Sequence, residues 1–226
     1  MSATVCSPPV LQLRRLSCER DGRCLFSGLD LALEAGAAVQ IEGANGSGKT
    51  TLLRTLIGSA GDYRGEILWR GEPFPRALPR MRSTLLYIGH QAGVRRGLTP
   101  LENLAWYGAS ERDALAALEQ VDLYGFEDSS CQQLSAGQNR RVALARLYLP
   151  NAPQLWILDE PLAALDVAGV SSLQGQMACH LARGGAILFT SHQPVALANL
   201  QHVNLADHEP AGALEPWPGE GDHEYA

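Results

Sequence analysis

The 226 residues are 46% hydrophobic, enough for one full core, yet the longest apolar runs, such as Leu155–Leu158, fall far short of the roughly 20 residues a membrane-spanning helix needs. Net charge is −6, but residues 207–226 hold six of the 24 carboxylates and none of the 18 Lys and Arg, so residues 1–206 balance at 18 against 18. A body so balanced lacks the concentrated basic face that a nucleic-acid duplex requires, which excludes nucleic acid as the expected partner.

In chain order, MSATVCSPPV has no basic stretch followed by a long apolar one, so a secretory signal is not expected there. With five cysteines and no CxxC pair, a reduced cytoplasmic chain is expected. Leu11 to Cys18 and Gly65 to Arg70 are strand-like. Between them, Ala38-Val39-Gln40-Ile41 reads as a buried strand and Thr51 to Leu56 as a helix with leucines on one side. The connecting Gly43-Ala44-Asn45-Gly46-Ser47-Gly48-Lys49-Thr50-Thr51 fits G-x-x-x-x-G-K-[ST], a phosphate-binding loop, in the strand-loop-helix context that the motif requires. Lys49 is the only lysine beside 17 arginines. A compact ammonium fits between β- and γ-phosphates where a planar guanidinium fits badly. Thr50 is placed to give a hydroxyl to Mg²⁺.

Thr99-Pro100-Leu101-Glu102 has the form of a capping box with proline at the first helical position, and Ala114 to Val121 reads as a second short amphipathic helix. Gln154 to Leu158 is a buried strand ending in Asp159 and Glu160. Adjacent carboxylates there suit one group holding Mg²⁺ through water, Asp159, and one polarising an attacking water, Glu160. Residues 207–226 read as a solvated, poorly ordered acidic tail.

Leu134-Ser135-Ala136-Gly137-Gln138, followed by the helix-like Asn139 to Leu147, resembles the signature segment of ATP-binding cassette (ABC) ATPases, with Ala136 in place of the usual first glycine. Gln91 is similar to that family's Q-loop glutamine, which senses Mg²⁺ and the γ-phosphate; Ala164-Leu165-Asp166 to its D-loop; and His192 to its switch histidine. The resemblance implies an α/β P-loop NTPase fold, the ABC nucleotide-binding domain, spanning residues 1–206. It would carry an antiparallel β layer and a helical subdomain inserted at about 92–150. It also implies a head-to-tail pair of copies in which Ser135, Gly137 and Gln138 of one face the ATP on the phosphate loop of the other. The family often stacks adenine on an aromatic side chain ahead of the phosphate loop. Cys18 to Arg23 contain none, leaving Arg20 or Arg23 as stacking candidates.

Within the family, YIGHQAGVRRGLTPLENLAWY, LWILDEP and TSHQ resemble the ATP-binding subunits of bacterial haem exporters of c-type cytochrome biogenesis, through about residue 205. That implies ATP hydrolysis on the cytoplasmic face of the inner membrane, with multispan membrane subunits and, indirectly, a haem chaperone as partners. Two alternatives stay open at this point: the ATPase subunit of another transporter, or a soluble cassette ATPase of iron–sulfur assembly or DNA repair. No residue cluster reads as a haem site; Cys131, His90 and His180 form no ligand set.

Overall fold

The computed structural model describes residues 8–60 and 63–209. Strand β1 (Leu11–Arg20) turns into β2 (Arg23–Leu33) through Asp21 and Gly22, at φ 53° and 71°. Two residues at positive φ make the primed turn whose twist suits a two-residue hairpin, and Asp-Gly is a preferred sequence for it. Strand β2 lies outside the strands expected from sequence, although the Asp21-Gly22 pair is a hairpin signal. After β3 (Ala38–Glu42) and helix α1 (Lys49–Leu56), strands β4 (Tyr63–Trp69) and β5 (Glu72–Pro73) complete an antiparallel sheet of order β2-β1-β4-β5.

Helix α2 (Leu78–Ser83) leads to β6 (Leu85–Ile88), which joins β7 (Leu155–Leu158), β8 (Ala186–Thr190) and β9 (Leu200–Asn204) in a parallel sheet of order β6-β7-β8-β3-β9. Every residue of β7 and β8 is buried, the unbroken apolar run expected of a parallel sheet covered on both faces. One face packs with α1, α2 and the antiparallel sheet around Phe26, Ile41, Leu52 and Leu188. The other packs around Trp156, Phe189 and Met177 beneath helix α6 (Val167–Ala182).

Between β6 and β7 lie the expected helices: α3 (Pro100–Ala105), α4 (Glu111–Gln120), α5 (Ala136–Ala145) and a 3-10 turn, Arg146–Tyr148. They close over a small core of their own, formed by Leu104, Leu118, Leu123, Cys131, Leu134 and Val142. Thr99 caps α3 as the sequence predicts: its hydroxyl accepts from Glu102 N at 3.2 Å, and the Glu102 carboxylate accepts from Thr99 N at 2.8 Å. Among the described residues no helix is long and apolar enough to cross a membrane. A final 3-10 turn, Leu205–His208, buries Leu205 in the first core; the rest of the acidic tail, from 210 on, lies outside the described residues.

Candidate active site

Three parallel strands end side by side at one edge of the sheet, the usual binding edge of open α/β sheets. From β3 the chain enters the glycine loop, from β7 it reaches Asp159 and Glu160, and from β8 it reaches His192. A cleft of about 520 Å³ between them is lined by Ala44, Asn45, Gly46, Gly48, Lys49, Thr50, Thr51, Asp159, Glu160 and His192, together with Arg20, Leu25, His90 and Ala163.

The loop is built to leave donors facing the cleft. Gly48 is the N-cap of α1 at φ 103°, with no side chain capping the helix and no acidic residue in its first turn. A Cβ at Gly48 would stand 3.0 Å from Leu25 Cβ and 3.2 Å from Phe26 Cδ1, so both the conformation and the space call for glycine. The open N–H groups and the helix dipole make this an anion site. Lys49 Nζ bends back to donate to the carbonyls of Gly43 at 2.6 Å and Ala44 at 3.1 Å. Ser47 Oγ is buried without a hydrogen-bond partner among the described residues.

Facing the loop, Asp159 is 2% exposed. It accepts from Thr50 Oγ1 and from Thr190 Oγ1, each at 2.9 Å. Thr190 Oγ1 in turn accepts from Glu160 N at 2.8 Å, so one buried hydroxyl orients both acidic residues. Glu160 is held at φ 50°. Its Oε2 accepts from His192 N at 3.3 Å, and its Oε1, with no hydrogen bond among the described residues, stands 3.5 Å from His192 Nε2.

The chain matches the ABC transporter family over residues 26–163. It is 51% identical over 200 residues to the cytochrome c biogenesis ATP-binding export protein of Shigella flexneri, covering 87% of this chain and 96% of that one. Identity to the protein of the same name from Saccharophagus degradans is 48% over 212 residues, covering 88% and 94%. A solved ATP-binding protein of a putative ABC transporter from Pyrococcus furiosus superposes with a TM-score of 0.75 at 26% identity, over 88% of this chain and 99% of that one.

The chain belongs to the ABC transporter family. It is an ABC-type ATPase.

Other residues singled out by sequence stand apart from this cleft within one ABC chain. Ser135 caps α5, its hydroxyl accepting from Gln138 N at 3.2 Å while Gln138 Oε1 accepts from Ser135 N at 2.9 Å. Asp166 caps α6 through Gly169 N at 2.8 Å and lies 3.5 Å from Arg141 Nη2. Neither Ser135, Gly137, Gln138 nor Asp166 lines the phosphate-loop cleft. Gln91 does not line it either; it borders the next groove, beside Ile57, Tyr87, Tyr107 and Arg146, while its neighbour His90 faces the cleft. Of the two candidate stacking arginines, Arg20 lines the cleft and Arg23 does not.

Sequence reasoning missed Thr190 and Arg140. Arg140 is 8% exposed and donates to three main-chain carbonyls, those of Gly89, Asp159 and Glu160, at 2.6, 2.7 and 2.9 Å. Burial lowers its pKa, and the nearby charges of Asp159 and Glu160 oppose that shift. Its only sequence signal was a charged residue on the buried side of α5.

Proposed function

We propose that the chain is the ATP-hydrolysing subunit of an inner-membrane ABC complex of c-type cytochrome biogenesis, driving haem export or the release of a haem-loaded chaperone. Identity of about half, over nearly the whole of this chain and of the curated export proteins, carries the pathway assignment. The chain would sit on the cytoplasmic face of the bacterial inner membrane, held there by multispan partners.

In this reading the uncapped start of α1, with Gly43 to Thr51, takes the phosphates of ATP, and Lys49 leaves its loop carbonyls to lie against the β- and γ-phosphates. Among the described residues no group of three or more His, Cys, Asp or Glu could hold a metal alone. One hydroxyl and one carboxylate, completed by phosphate oxygens and water, nevertheless form the sparse oxygen set that suits Mg²⁺, and Thr50 and Asp159 would hold it. Bound there, Mg²⁺ supplies charge neutralisation at the phosphates. Glu160 orients and deprotonates the attacking water, and His192, already against the Glu160 carboxylate, fixes its direction. For Gln91 to join the cation and the γ-phosphate, the loop after Ile88 must turn toward the cleft.

Ser135, Gly137, Gln138 and Asp166, remote from the cleft of their own chain, serve a second copy packed head to tail, so that two ATP molecules are sandwiched between the copies. The groove beside Gln91, between the core and the helices, faces the membrane subunit.

The test is recovery of the tagged chain from gently solubilised membranes of its native cell. Small multispan proteins and a haem-carrying chaperone that leaves on addition of ATP are the expected companions. Recovery with unrelated permease subunits, or with no membrane protein, removes the haem assignment and leaves the ATPase.

A further inference from the structure

Arg140 sits where three segments meet: the end of β6, the end of β7 and the middle of α5. Its Nη1 donates to Gly89 O, and its Nη2 is shared between Asp159 O and Glu160 O. The carbonyls of Gly89 and Asp159 lie just beyond the parallel strands, where ladder pairing stops and a buried C=O needs another donor, while that of Glu160 also accepts from Ala163 N at 3.1 Å. A guanidinium is suited to the place because its planar fork reaches carbonyls on two different segments at once; an ammonium is a single point. Among the described ion pairs Arg140 has none, so its bonds are directed at main chain rather than at a carboxylate.

The main chain of Glu160 is gripped from both sides. Thr190 takes its N–H at 2.8 Å and Arg140 supplies its C=O at 2.9 Å. Between these two contacts the residue holds φ 50°, a conformation that side chains other than glycine adopt rarely, and that conformation decides where the carboxylate points.

We propose that Arg140 is a positioning residue for ATP hydrolysis, locking α5 to the Glu160 turn and to the root of the His90–Gln91 loop so that the three move as one body. Arg140 lies just over one helical turn beyond Ser135, so a shift of the Ser135 end of α5 is passed to Glu160 directly. The consequence rests on the two-copy reading above: Ser135 serves the partner's ATP and Glu160 serves the chain's own. Arg140 is then the link by which occupancy of one ATP site aligns the other.

Arg140→Lys and Arg140→Met in the full chain test this with two independent readouts. Hydrogen exchange should quicken by about tenfold at residues 89–91 and 159–160 in Arg140→Lys, with α1 and β3 unchanged. The turnover number should fall by about 100-fold, the loss expected from displacing a catalytic group by an ångström. KM for ATP should stay within about threefold, the mark of an interaction that acts on the reacting geometry rather than on binding. Cooperativity in ATP should fall with the turnover number, and Arg140→Met should show the same pattern more strongly. Wild-type exchange and turnover in Arg140→Lys overturn the proposal. So does exchange that quickens evenly over the whole chain, which would make Arg140 a stabiliser only. If the wild-type chain with its partners hydrolyses no ATP, the functional reading fails, and the exchange experiment still decides whether Arg140 locks these segments.

Discussion

At the cleft beside the glycine loop the candidate side chains stand on the ends of buried strands and are held by one another, whereas between residues 92 and 150 they stand on short helices that close on themselves. Thr99, Ser110 and Ser135 each cap the helix that follows, two of them as full capping boxes; α1 alone begins at a bare glycine. The capped helices are complete without a ligand, whereas α1, like the short α2 that follows Ala77, has no side-chain cap, and of the two it is α1 whose open end borders the cleft. Their cores differ in the same sense. The helical segment rests on a small separate cluster, while the cleft draws on both cores of the parallel sheet. The helical part therefore packs largely on itself, and the few side chains that cross between the two regions, Arg140 among them, determine how tightly they are geared.

The comparison breaks first if the loop is not the seat of charge compensation. Lys49→Ala is expected to cut ATP hydrolysis by about 1000-fold, since a phosphate charge developing in a sheltered site loses its cation. Steady-state phosphate release measures it, and near-normal turnover would sink the assignment of the loop. Glu160→Gln is next: hydrolysis should fall by about 100-fold while ATP binding persists, and closed, ATP-loaded dimers should accumulate on gel filtration. A variant with full turnover would remove Glu160 from the chemistry.

Truncating the helical core sharpens the contrast from the other side. Leu118 is fully buried in that satellite cluster, and Leu118→Ala should cost about 2–4 kcal/mol. Urea unfolding followed by segment-resolved hydrogen exchange should place the loosening in residues 92–150, with protection of α1 kept; loss spread equally over both regions would show that they are one cooperative body.

His180 supplies a pH handle on the core beneath α6. It stacks on Trp156 with ring centroids 3.7 Å apart, and burial lowers its pKa below the ordinary 6.5. The unfolded chain therefore binds a proton that the folded chain resists, so the stability from neutral His180 is present above 6.5 and is lost as pH falls toward the depressed value. His180→Phe should flatten that part of the stability–pH curve, read as urea midpoints at neutral and mildly acid pH. The smallest effect concerns the base. With Arg20 and Leu25 at the cleft, and no Phe, Tyr or Trp among the described residues that line it, GTP should compete with ATP to within about threefold, as expected of a site without specific hydrogen bonds to the base. Tight, ATP-only binding would contradict it.

The loop, the capping box at Thr99, the Asp159-Glu160 strand end and the strand before His192 were legible because each is a local pattern whose spacing carries its own physical reason. The hairpin strand β2 was harder to see. Its burial is uneven, with only Phe26, Leu29, Leu31 and Leu33 fully inward, so alternation is interrupted where the register shifts against β1. Thr190 and Arg140 were invisible for a different reason: each acts on residues 30 or 19–51 positions away, and no sequence period links them. Which of His90 and Gln91 faces the cleft depends on a loop conformation between β6 and the helices, and composition says nothing about that.

The solitary ammonium also makes the chain its own reporter. With one lysine in 226 residues, located in the loop at the cleft, acylating or reductive-alkylating reagents can mark only one side chain here, and a lysine-specific protease has one bond to cut. Protection of that single position by added nucleotide would read out occupancy in the unmodified protein, within intact membranes, with no engineered label and no background from a second amine-bearing side chain.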